Sequence, residues 1–141
     1  RLLTLLPVHY RQWASIRLAH LAPRAQSWGL DEIYAGVGAS GAEDAWMGFA
    51  IDLESWLLDG TPFCGGAADL VKCFDQIDRA LLLTIAGDAG LPIQVLGPYK
   101  AFMDQLKIRN TVTGGVGAPY SRLCGIPQGC PFSMLMINLL L

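Results

Sequence analysis

Ala45, Trp46, Phe49, Ala50, Leu53, Trp56 and Leu57 recur at helical spacing between Gly41 and Leu58, the clearest period in this 141-residue chain. Residues three and four apart share one helix face, so the segment carries an apolar stripe that calls for a packing partner. Ser40 and Glu43 have capping-box spacing at its start, and Gly60, Pro62 and Gly65-Gly66 break it at its end. About half of the residues are apolar and few are charged, so the chain can bury a core and is not a disordered segment. Its length suits one domain or part of a larger one.

Glycine and proline divide the remainder. Residues 1–7 read as a short strand ending at Pro7. A helix follows over 8–26, with Tyr10, Trp13, Ile16, Leu18 and Leu21 as an imperfect stripe. Residues 27–41 form a glycine-rich loop, and 66–73 read as a buried strand. A helix over 76–86 is closed by Gly87 and Gly90, and Pro92 opens another that reaches about Leu106. Residues 108–113 and 120–124 are expected as two strands joined through Gly114, Gly115 and Gly117. The loop Gly125-Ile126-Pro127-Gln128-Gly129-Cys130-Pro131 leads into a last helix. Long helices between few strands predict mixed α/β packing, of the α+β kind.

Several classes are disfavoured. No secretory signal is visible, since Arg1, His9 and Arg11 interrupt the opening apolar residues. No apolar run approaches the roughly 20 residues that span a bilayer. Cys64, Cys73, Cys124 and Cys130 contain no Cys-x-x-Cys pair, and His9 and His20 stand alone, which argues against zinc. Cysteines in apolar segments fit a reducing compartment. The net charge of −2 weighs against a nucleic-acid partner, although a basic surface can lie in other segments of a larger protein. The start at Arg1 and the stop inside the apolar run 134–141 read as part of a longer chain.

The chemistry concentrates in Ala68-Asp69-Leu70-Val71-Lys72-Cys73-Phe74-Asp75. A carboxylate at the end of an apolar strand is costly unless paired or bound to a cation. Two-metal phosphoryl transfer needs carboxylates on rigid backbone, holding ions about 4 Å apart. This segment resembles the first palm motif of reverse transcriptases. The loop from Gly125 to Ser133 resembles their next palm motif, Gly-x-Pro-Gln-Gly-x-Pro-x-Ser. The opening Arg1-Leu2-Leu3-Thr4-Leu5-Leu6-Pro7-Val8-His9-Tyr10-Arg11 is similar to the fingers of non-LTR, LINE-like retroelements. Ala35-Gly36 to Ala45 is like the glycine-rich segment before the fingers helix. These matches run in family order and span nearly the whole chain, with 1–62 fingers-like and 63–141 palm-like.

The resemblance implies an RNA-directed DNA polymerase that adds dNTPs to a DNA primer on an RNA template, with two Mg²⁺ ions for which Mn²⁺ can substitute. It implies an intracellular location, in nucleus or cytoplasm, no membrane, and the rest of the palm and the thumb as partners. Asp69 becomes the catalytic metal ligand and the Leu70 carbonyl a second ligand. Phe74 becomes the ring beneath the incoming sugar that rejects a 2′-hydroxyl. Gln128 and Gly129 lie by the incoming nucleotide, Arg1 grips its triphosphate, and Arg11 reaches the template or simply solvates a helix. Asp75 is better explained as an N-cap, ahead of Gln76-Ile77-Asp78.

There are departures. Leu2 stands where the family usually has Pro, and 36–41 lacks the usual basic residues. No Tyr/Phe-x-Asp-Asp occurs, and its place in family order is beyond Leu141, so the fragment alone is expected to be inactive. Three rivals remain. Gly36-x-Gly38-x-x-Gly41 matches a dinucleotide fingerprint but follows a poor strand. An RNA-dependent RNA polymerase palm fits Asp69 and Asp75, yet Gln128-Gly129 stands where those enzymes favour Ser-Gly. The last is an inactive retroelement remnant or an RNA-binding module without catalysis.

Overall fold

The computed structural model describes residues 4–28, 30, 32–35 and 41–140. Helix α1, Val8–Trp28, is followed by α2, Ala42–Leu58. Next come a one-turn helix α3, Cys73–Gln76, then α4, Arg79–Asp88, and α5, Ile93–Gln105. A small hairpin pairs β1, Thr111–Val112, with β2, Gly115–Val116, antiparallel. Helix α6, Ser133–Asn138, closes the order. The architecture is therefore helical with one two-stranded sheet among the described residues, α+β in the coarse sense. No described helix is long and apolar enough to cross a membrane.

The core forms where helices face one another. Leu82 and Ala86 of α4 meet Val95, Leu96, Tyr99 and Met103 of α5, and Ala14 and Leu21 supply the inner face of α1. Phe132, fully buried, sits at the centre and packs edge-on against both Trp13 and Tyr99. Tyr10 stacks on Phe102 with ring centroids 3.5 Å apart. Met136 and Ile137 of α6 complete the interior. Asn138 reaches out of it, its Nδ2 donating to the Ala35 carbonyl at 2.6 Å.

Helix starts follow local chemistry. Asp78 caps α4, its carboxylate accepting from the Leu81 amide at 2.9 Å. Pro92 precedes α5, where its missing N–H costs nothing. At α2 the Asp44 carboxylate accepts from the Gly41 amide at 2.7 Å. The expected Ser40–Glu43 box involves Ser40, which lies outside the described residues.

Three strand expectations are corrected. Residues 66–73 form no strand, and 61–72 are exposed throughout. A strand is held by a neighbour's ladder, and the described residues offer none to this segment. Thr4–Pro7 are not a strand either, and residues 1–3 lie outside the description. The hairpin does turn at Gly114, but pairing is confined to 111–116 plus one bridge, Ile108 to Tyr120, so 120–124 is not a strand. The helix expected over 76–86 is two pieces, broken at Ile77 and Asp78.

Candidate functional site

The loop 125–131 is stapled to the segment before α4. The Gly125 amide donates to the Ile77 carbonyl at 2.7 Å and the Ile126 amide to the Phe74 carbonyl at 2.8 Å. Gly125 has φ +79, and a Cβ there would lie 2.7 Å from the Asp75 carbonyl oxygen, so only glycine fits. Ser133, buried, donates from Oγ to the Pro127 carbonyl at 2.8 Å and ties the loop to α6. The Thr4 amide donates to the Gln128 carbonyl at 2.9 Å, anchoring the opening segment on the same loop.

Arg79 fixes the loop from the other side. Its guanidinium donates to four carbonyls: Gly125 at 2.7 Å, Arg122 at 2.9 Å, Met103 at 3.2 Å and Cys124 at 3.3 Å. Beside it, Arg122 pairs with the Asp75 carboxylate at 2.6 Å. Asp75 is therefore an ion-pair partner within α3 and not an N-cap; the cap is Asp78. Neither the role of Arg79 nor the Arg122 partnership is visible in the sequence, because the partners lie 24 to 47 residues away.

These ties shape an open cleft of about 430 Å³. Arg11 and Ser15 of α1 line one side, Phe74 of α3 another, and Gln128, Gly129 and Met134 the rest. Arg11 is the only charged side chain among the described residues lining it. Gly129 has φ +110, a backbone region that leaves the loop without a side chain at that point. Cys130 lies in the wall, its Sγ 3.1 Å from the Tyr10 hydroxyl. Burial holds the Cys130 thiol above its ordinary range and the Tyr10 hydroxyl above its own, so both stay neutral and neither is a poised nucleophile. A guanidinium, a ring, an amide and no carboxylate suit an anionic ligand with a planar group.

Four residues singled out in the sequence, Arg11, Phe74, Gln128 and Gly129, thus meet in one cleft. Cys130 joins them as a variable position of the same loop motif, and Ser15 and Met134 join without a signal in the sequence. Asp69 and Leu70 do not line it. Both are exposed on irregular backbone, and the Leu70 carbonyl accepts from the Cys73 amide at 3.3 Å. Arg1 lies outside the described residues. Among those described, no three His, Cys, Asp or Glu side chains come together in a group able to hold a metal ion. Set against family models, curated proteins and solved structures, the chain matches none.

Proposed function

We propose that the cleft binds a nucleotide and that the chain is the fingers and part of the palm of a LINE-like, RNA-directed DNA polymerase. The observation that carries this reading is the convergence of Arg11, Phe74, Gln128 and Gly129, drawn from three separate motifs. The Arg11 guanidinium suits phosphate oxygens, whether of a dNTP or of the template backbone. The Gln128 amide offers both a donor and an acceptor to a base edge. The Phe74 ring stands where a sugar could pack against it, and Gly129 lets the ligand approach the backbone.

The described residues do not fit a two-metal centre by themselves. Asp69 is exposed on irregular backbone and no carboxylate cluster surrounds it. Nucleotide recognition, not metal-assisted transfer, is what these side chains supply. That observation favours a second reading, a polymerase-like fold that binds without catalysis.

Equilibrium binding of a fluorescent dNTP, with and without poly(rA)/oligo(dT), tests the first reading. Gln128→Ala and Arg11→Ala are each expected to weaken binding by about tenfold, the loss of roughly one charged or well-placed hydrogen bond. Phe74→Val is expected to narrow the preference for dNTP over rNTP. Unchanged affinity in all three variants sinks the assignment of the cleft. Primer extension with Mg²⁺ or Mn²⁺ separates binding from catalysis, and the chain alone is expected not to extend. Extension that disappears in Asp69→Asn would mean that another acid completes the centre.

A further inference from the structure

Helix α2 holds no buried residue, yet its apolar residues make a continuous surface. Trp46 is 70% exposed, Leu57 72% and Phe49 43%. Phe63 joins them from the following segment, stacked on Trp56 with centroids 4.7 Å apart and edge-on to Phe49. An open aromatic patch of this kind, with tryptophan at its centre, has the composition of an interface hot spot and not of a monomer's surface. On the helical wheel the stripe is flanked by Glu43 and Glu54 on one edge and Asp52 on the other, all exposed. Helix α2 contains four acidic residues and no basic one.

Helix α1 is the converse. It contains three arginines, two histidines and no acidic residue. Its outward face carries Val8 and Ile16, 63% and 57% exposed, along a shallow groove shared with Gln12 and Ser15. Arg11 borders that face on one edge and His9 and His20 on the other, whereas the Arg24 guanidinium lies against Gly90 at the α4–α5 turn. The outward faces of α1 and α2 are thus apolar surfaces with rims of opposite charge.

We propose that the chain self-associates, with the acid-rimmed face of α2 seated on the base-rimmed face of α1 in a second copy. Charge complementarity selects this occupant: two copies of α2 face to face would set acids against acids, whereas α1 meets them with Arg11 and two histidines and offers no acid. The net charge of −2 leaves little general repulsion between copies. The contact is heterologous, so it closes into a dimer only where both α1–α2 contacts form together. This inference does not rest on the nucleotide reading, although Arg11 and Ser15 border both the α1 groove and the cleft.

Sedimentation velocity tests it on the whole chain. The mass is expected to rise above 15.2 kDa as concentration climbs from the low to the high micromolar range. Two variants that invert the rims sharpen the test: Glu43→Lys with Glu54→Lys on α2, and Arg11→Glu with His20→Glu on α1. All four positions are exposed, and helical content by circular dichroism checks that the fold is kept. Each variant alone is expected to associate at least about tenfold more weakly than the parent, and an equimolar mixture is expected to recover association. Trp46→Ser, which alters no charge, is expected to weaken it as well. A parent that stays at 15.2 kDa throughout overturns the proposal. So does association that persists in both reversed variants, or a mixture that fails to recover it.

Discussion

Helix α2 with residues 59–72 and the remainder of the molecule face opposite fates. The first region buries nothing, whereas α1 together with residues 77–138 supplies nearly every buried side chain among the described residues. Composition does not explain the difference. Helix α2 is more apolar on average than α5, yet α5 buries Val95, Leu96, Tyr99 and Met103 and α2 buries none. What α5 has is a partner. Helix α4 lies against it, joined through the tight turn Ala89–Gly90, and the Arg79 guanidinium donates to the carbonyl of Met103. Periodicity makes a helix amphipathic; a second surface makes it part of a core.

The largest effect that can test this contrast is at Phe132. Phe132→Ala removes the central ring and is expected to cost about 3–5 kcal/mol in chemical denaturation. Met47→Ala, at a position of α2 that is 64% exposed and off the aromatic stripe, is expected to stay within about 0.5 kcal/mol. Equal losses would mean that α2 has a folded environment of its own.

Glycines repeat the comparison at smaller size. Gly125→Ala sets a Cβ against the Asp75 backbone at a positive φ, and is expected to destabilise by about 1–3 kcal/mol. Gly66→Ala meets nothing within 4 Å and is expected to be neutral or stabilising by less than about 1 kcal/mol. Thermal melts of the two variants side by side decide it. Asp78→Ala removes the α4 cap and is expected to cost about 1 kcal/mol. Were the cap Asp75, this variant would melt like the parent.

The smallest effect is a pH dependence confined to the packed region. Burial raises the Cys130 thiol above its ordinary 9.0 and the Tyr10 and Tyr99 hydroxyls above their ordinary 10.0. The folded chain keeps these protons when the unfolded chain has lost them. Their stabilisation is therefore whole below about pH 9 and declines as pH rises. Between pH 8 and about pH 9.5 the loss is expected to be at most about 1 kcal/mol, mostly from Cys130. Cys130→Ala should move the onset towards pH 10, as read from melting midpoints across the range.

The helices were largely legible in the sequence because their determinants are local. Pro92, the Gly87–Gly90 break and the 3.6-residue period each act within a turn or two of the backbone they shape. Residues 66–73 form no strand because an apolar run says only that burial would be favourable. It does not supply the neighbouring strand. Asp75 and Asp78 lie three residues apart and look alike in sequence; Arg122, forty-seven residues on, draws Asp75 into an ion pair and leaves the cap to Asp78. In the cleft, motif likeness points to Phe74 and the Gln128 loop, Cys130 included, whereas Ser15 and Met134 arrive by packing alone.

The link between Tyr10 and Cys130 joins residues 120 apart in the chain. At the usual pace of about 5–20 residues per second, a ribosome needs roughly 6–24 s to travel that distance. Throughout that time the inner face of α1, with Trp13 and Leu21, has no Phe132 or Met136 to close over it. The nascent chain thus carries a sticky helix long before its cover is made, and whatever shields that helix during synthesis governs how much of the protein reaches its fold.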